Sequence, residues 1–173
     1  IGAVMGSKNL KALVVKRQKT SKPYNMNALK TLTVDVKERI EKNPVIVDLA
    51  VNGTAGVTDF HLQEGFLPTE NWKRGYLEGG EAVKGTTMTN TILKDTDTCY
   101  GCAIRCKRVV EIEGNVFPEY GGPEYETVST FGSYTASTNL KDIALANQLC
   151  NMYGLDTISC GATIAFAMEC YEE

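Results

Sequence analysis

Cys99, Cys102 and Cys106 stand three and four residues apart in the run Thr98-Cys99-Tyr100-Gly101-Cys102-Ala103-Ile104-Arg105-Cys106. On a helix these positions fall on one face, so the spacing predicts three sulfurs converging on one point. Three convergent thiolates suit three corners of an iron–sulfur cube, because soft sulfur donors match iron. Gly101 lacks a side chain and would let the backbone approach a bulky cluster. Arg105, Lys107 and Arg108 add positive charge, which favours thiolates and offsets an anionic cluster.

Other readings of the same cysteines stay open. Buried, inert thiols are the commonest fate of a free cysteine. Zinc would need a fourth ligand, and the usual second C-x-x-C knuckle is missing from the sequence. His61 is the only histidine and has no ligand spacing to the cysteines, so it reads as a surface or packing residue. Cys150, Cys160 and Cys170 lie in amphipathic stretches and read as core. A [4Fe–4S] cluster would therefore lack its fourth ligand within this sequence.

Composition narrows the function classes. The 173 residues carry a net charge of −3, with 43% apolar and 23% charged residues. Such a balance offers no basic field for nucleic acid or for an anionic membrane. No apolar run approaches the ~20 residues of a membrane span, and no secretory signal is visible. The length and core content make a disulfide-stapled scaffold unnecessary, which points the six cysteines to a reducing cytoplasm. The first residues, Ile1-Gly2-Ala3-Val4-Met5-Gly6, read as mid-protein sequence, and the last ones as a helix without a stop signal. The expectation is a fragment.

The elements that must position the cysteines read as mainly α with a small β hairpin. Lys11–Val15 reads as a short buried strand, followed by a basic linker over 16–22. Leu29, Leu32, Val36 and Ile40 give helical spacing over 25–42, with Asn25 or Asn27 as cap and Pro44 after its end. A short helix is predicted over 45–51. The Gly-rich stretch 53–80 reads as loops around one short helix, anchored by burial of Phe66 and Trp72. A helix over 81–94 is weakened by its threonines. Residues 108–113 alternate as a strand, and Gly114-Asn115 turns the chain into Val116-Phe117. Helices over 140–152 and 157–172 close the sequence.

Four stretches together resemble the tungsten-containing aldehyde ferredoxin oxidoreductase family. They are Gly2-Ala3-Val4-Met5-Gly6-Ser7-Lys8-Asn9-Leu10-Lys11-Ala12, the C-x2-C-x3-C run, Gly122-Pro123-Glu124-Tyr125-Glu126, and Asn151-Met152-Tyr153-Gly154-Leu155-Asp156-Thr157. The first is not a P-loop, since Gly6-Ser7-Lys8 breaks the G-x4-G-K-[ST] spacing.

The resemblance implies an incomplete helical middle domain of that fold. Residues 1–17 would end an N-terminal β domain that cradles a bis-pterin, and 18–173 would form most of the helical second domain, truncated at its C-terminal end. Cys99, Cys102 and Cys106 match three cluster ligands of the family, whose fourth cysteine lies far downstream, beyond Glu173. Glu124 matches a glutamate near the metal, whereas the residues alone would let Glu124 and Glu126 simply pair with basic groups at a turn. Asn151, Gly154, Leu155 and Asp156 match the pterin-binding D-x-x-G-L-[CD] loop, with Asn in place of the first Asp. That segment also reads as a helix end, with Gly154 at C′ and Asp156 or Thr157 capping the next helix.

The implied activity of the intact enzyme is oxidation of an aldehyde to a carboxylate at a tungsten bis-pterin centre, with molybdenum the alternative metal. Electrons would leave through the cluster to ferredoxin. The implied partners are ferredoxin, an aldehyde and the remaining domains of the same polypeptide, with homo-oligomerisation open and no nucleic acid or membrane. Other members of the family reduce aromatic rings or oxidise sugar phosphates. The rival reading is a stand-alone iron–sulfur carrier or a zinc-stabilised binding module.

Overall fold

The computed structural model describes residues 2–16 and 21–173. A short helix α1 (Gly2–Ser7) comes first, and residues 10–16 then run without regular structure. Helix α2 (Met26–Lys42) begins where Asn25 accepts a hydrogen bond from Ala28 N at 3.0 Å. Its exposed flank carries i,i+4 ion pairs such as Asp35–Arg39 at 2.8 Å. Asn43 ends α2 and caps α3 (Pro44–Asn52), accepting from Val45 N and Ile46 N. Gly65 at φ +73° then closes α4 (Gly56–Glu64).

After a 3-10 turn (Gly80–Val83), the first amide of α5 (Gly85–Thr91) donates to Asp59 Oδ2 at 2.7 Å. Two strands follow, β1 (Leu93–Asp97) and β2 (Lys107–Val110), paired antiparallel from Leu93–Val110 to Asp97–Lys107. Three helices complete the fold: α6 (Tyr125–Phe131), α7 (Leu140–Tyr153) and α8 (Thr157–Glu172). Among the described residues the fold is mainly helical with one two-stranded hairpin.

The core gathers Leu62, Leu67, Val83, Met88, Val110, Val128, Ile143 and Ala144. At its centre α6 buries four consecutive residues, Thr127–Thr130, against its neighbours. Gly161 of α8 permits this crowding, since a Cβ there would lie 2.7 Å from the Thr130 side chain.

Several expected elements differ. Residues 11–15 form no strand, and Leu13 and Val14 are 82% and 89% exposed. A strand is held by its ladder partner, and none lies beside this segment among the described residues. The linker expected at 16–22 falls partly on 17–20, outside the described residues. The helix expected over 81–94 is confined to 85–91, and 93 onward is β1. The hairpin therefore joins β1 to β2, and the turn at Gly114 closes only a single bridge between Ile112 and Val116. Phe66 and Trp72 do not anchor their loop by burial, being 48% and 68% exposed. Phe66 packs edge-on to Phe60, and Trp72 edge-on to Tyr134.

Candidate cofactor site

The three cysteines lie on the loop 98–106 that connects β1 to β2, not on a helix. Two left-handed residues break any helical path, Gly101 at φ +72° and Arg105 at φ +60°. Cys102 N donates to Cys99 O at 3.0 Å, closing a turn, and Thr98 Oγ1 donates to Cys102 O at 2.7 Å. Cys99 is exposed; Cys102 and Cys106 are half-buried. Among the described residues no three Cys, His, Asp or Glu side chains meet in a metal-binding arrangement. Open space surrounds Gly101. The residues thus fit three corners of a cluster by donor type and by sharing one loop, not by converged sulfurs.

Two arginines tie this loop down. Arg105 donates to Thr96 Oγ1 at 3.3 Å and to Thr96 O. Arg108, on β2, is 1% exposed. Its guanidinium donates to Cys106 O at 3.1 Å and Arg105 O at 3.0 Å, and also to Ala50 O at 3.0 Å and Val51 O. One side chain so joins the end of the cysteine loop to the carbonyl end of α3. Burial lowers the Arg108 pKa, while nearby Glu124 and Cys106 act in the opposite sense. Gly53 at φ +65° lets α3 end against it, because a Cβ there would lie 2.7 Å from Arg108 Nε.

Glu124 precedes α6 and lines a cleft of about 600 Å³. Its Oε2 accepts from Thr54 Oγ1, which in turn accepts from Tyr125 N at 2.9 Å. Glu124 forms no ion pair among the described residues, although it lies near enough to Arg108 to oppose the burial-driven fall in that residue's pKa. Tyr125 OH meets His61 Nδ1 at 2.8 Å, and burial raises the Tyr125 pKa and lowers that of His61. His61 is accordingly a packing residue, held among Phe60, Phe66 and Tyr125.

Asn151, Leu155 and Asp156 line the same cleft as Glu124, whereas Gly154 shapes the turn behind them. Gly154 is left-handed at φ +67° and ends α7; Asp156 caps α8, accepting from Ser159 N and Ser159 Oγ at 2.7 Å each. Those two donors hold the Asp156 carboxyl below its ordinary pKa. Asn151 donates back to Asn147 O at 2.9 Å. Gly2 packs on Gly154, with Ala3 N donating to Gly154 O at 3.3 Å, so the first residues meet the α7–α8 turn. The cysteine sulfurs do not line the cleft, but Asp97 and Lys107, at the roots of their loop, do.

The profile of the family described as "Aldehyde ferredoxin oxidoreductase, domains 2 & 3" matches residues 31–173. The chain belongs to the aldehyde ferredoxin oxidoreductase family. It is 36% identical over 176 residues to the tungsten-containing aldehyde ferredoxin oxidoreductase of Pyrococcus abyssi, covering 99% of this chain and 28% of that protein. It is likewise 36% identical over 177 residues to the protein of the same name from Thermococcus kodakarensis, covering 100% and 28%. The aliphatic sulfonate oxidoreductase WOR-like subunit of Pyrococcus furiosus is 26% identical over 177 residues, covering 99% and 28%. The chain spans just over a quarter of the length of these curated relatives. No helix among the described residues is long and apolar enough to cross a membrane.

Within this member of the aldehyde ferredoxin oxidoreductase family, sequence reasoning missed Thr54 and the bridging geometry of Arg108. Thr54 lies 70 residues from Glu124 and has no motif of its own. From the sequence, Arg108 reads as positive charge near the cysteines and as the first residue of a strand. The cleft residue Asn147 gives no sequence signal beyond its place in α7.

Proposed function

We propose that this chain is the cluster-ligating and cleft-forming part of an oxidoreductase that converts aldehydes to carboxylates. One observation carries the reading. Glu124, Asn151, Leu155 and Asp156, all matched to family site positions, line a single cleft that adjoins the roots of the cysteine loop. A tungsten bis-pterin, with molybdenum the alternative metal, supplies the two-electron oxidation when bound. Cys99, Cys102 and Cys106 would hold three corners of a [4Fe–4S] cluster that passes electrons to ferredoxin, with the fourth ligand supplied from elsewhere. Asn151, Leu155, Asp156 and the backbone at Gly154 would hold a pterin by hydrogen bonding at the α7–α8 turn.

The chain's own part in the chemistry follows from stoichiometry. Oxidation of an aldehyde by water to a carboxylate releases three protons with two electrons, so the cleft needs a base. Glu124, one of the carboxylates lining the cleft, would accept a proton from water or from the hydrated aldehyde. Lys107 and Arg108 are the basic side chains lining the cleft, beside the carboxylates of Asp97, Glu119, Glu124, Glu126 and Asp156. In this reading residues 1–17 end a preceding β domain, 18–173 belong to the second domain, and the enzyme works in a reducing cytoplasm.

The test is iron, acid-labile sulfide, tungsten and pterin analysis of the full-length protein produced without oxygen. The expected result is iron with sulfide, lost on Cys102→Ala, together with tungsten and pterin. Zinc without sulfide would sink the cluster, and absence of tungsten and molybdenum together would sink the enzyme reading. Residues 1–173 by themselves supply three of the four thiolates the family resemblance implies and are expected to turn over no aldehyde; measurable turnover would overturn that.

A further inference from the structure

Glu124 is held from behind by a hydroxyl whose single proton has only one place to go. A backbone N–H can only donate, so the 2.9 Å contact from Tyr125 N occupies a lone pair of Thr54 Oγ1. The Thr54 proton is then directed at Glu124 Oε2. No second protein donor reaches the carboxylate among the described residues, which leaves Oε1 without a protein partner in a residue that lines the cleft. The two oxygens of Glu124 are therefore not equivalent.

We propose that Thr54 is the positioning residue for Glu124, anchoring Oε2 so that Oε1 is the oxygen that exchanges protons with the substrate. The inference rests on the reading of Glu124 as the base. The fold makes the anchor rigid. Thr54 follows Gly53 in a tight turn whose carbonyls bond Gly56 N at 3.2 Å and Val57 N at 2.9 Å. The preceding carbonyls of Ala50 and Val51 are held by buried Arg108. The Tyr125 amide is one of the orphan donors at the start of α6, so the hydroxyl that orients the carboxylate also caps the helix that carries it. The other charged groups around the cleft are Asp97, Lys107 and Arg108 from the strands, Glu119 from the turn before α6, Glu126 on α6 and Asp156 at the start of α8.

The experiment follows kcat/KM against pH for the full-length enzyme, with acetaldehyde as substrate and a viologen dye as electron acceptor, rates being normalised to tungsten and iron content. Thr54→Val is expected to move the acidic limb upward by about one pH unit, the effect of losing one hydrogen bond to a charged group. Thr54→Ser is expected to restore the original limb. Thr54→Cys, a weak donor, is expected to fall between them and carries the test should the valine variant not accumulate. A limb that does not move in Thr54→Val or Thr54→Cys, beside an inactive Glu124→Gln, overturns the role of Thr54 alone. An active Glu124→Gln overturns the reading of Glu124 as base. A Thr54→Ser limb displaced as far as that of the valine variant shows a packing role and also overturns the inference.

Discussion

The Arg108 guanidinium donates to the Ala50 carbonyl at 3.0 Å, and through the same nitrogen to Arg105 O at 3.0 Å. It binds the carbonyl end of α3, which carries the negative pole of the helix dipole, to the cysteine loop. Four backbone carbonyls accept from this one side chain, and one of them, Val51 O, also accepts from Thr89 Oγ1 at 3.5 Å. Arg108→Met would take the donor from these carbonyls and is expected to cost about 1–3 kcal/mol, the range for polar groups left without a hydrogen-bond partner. Arg108→Lys keeps the charge but loses the fork and should fall between. Chemical denaturation of the full-length protein, with iron content measured in parallel, checks both. Iron retention is expected to fall with stability, because the loop end at Cys106 loses its anchor.

The α6–α8 crossing makes a sharper packing claim. A Cβ at Gly161 would meet Thr130 Cβ and Oγ1 at 2.7 Å and the Thr130 carbonyl carbon at 2.8 Å. Backbone and a fully buried side chain cannot both yield, so Gly161→Ala is expected to destabilise by about 1–3 kcal/mol despite its gain in helix propensity. Thermal unfolding of the single variant measures the cost. In the double variant with Thr130→Gly, part of it is expected to return.

These two contacts also show what spacing along the chain does and does not reveal. The long helices were legible because their signals are local. Asn25 caps α2, Gly154 ends α7 and Asp156 begins α8, each within a few residues of the helix it controls. The grouping of Glu124 with Asn151 and Asp156 came from the family resemblance and finds them in one cleft. The cysteine loop misled because an i, i+3, i+7 pattern looks helical, whereas Gly101 and Arg105 take left-handed conformations that apolar periodicity does not register. Strand β1, Leu-Lys-Asp-Thr-Asp, has no apolar alternation and exists through pairing with β2. Leu13-Val14-Val15 shows the reverse, a strand-like composition with no ladder partner beside it among the described residues. Thr54 and Glu124 meet only when α4 and α6 pack, so no local signal could announce them.

Cys150 is buried at the end of α7 against Cys160 of α8, and burial together with that second thiol raises its pKa from 9.0 to about 11. The folded state keeps this proton longer than the unfolded state does. The stabilisation is therefore fully present below pH 9 and is lost as pH rises through 11. Cys150→Ala is expected to flatten the fall in stability over that window. At pH 8, iodoacetamide should modify exposed Cys170 well before Cys150. Mass mapping of the modified peptides reads the order.

Asp156 carries two assignments that one substitution can separate. As a cap it needs only an acceptor for Ser159 N; as a pterin contact in the cleft it would use its charge and second acceptor. Serine is as good a helix cap as aspartate, so Asp156→Ser should leave the folding of α8 essentially intact at neutral pH. The wild-type carboxyl is held below its ordinary pKa by the Ser159 donors, so its share of stability is present above the usual carboxylate range and disappears as pH falls through the lowered value. That acid-side loss is expected to vanish in Asp156→Ser. If Asp156 also binds cofactor, pterin content of the full-length protein should drop while thermal unfolding at pH 7 barely changes. Equal pterin content in both proteins would confine Asp156 to the cap, and the cleft would then depend on Asn151 and the backbone at Gly154 for its hold on the cofactor.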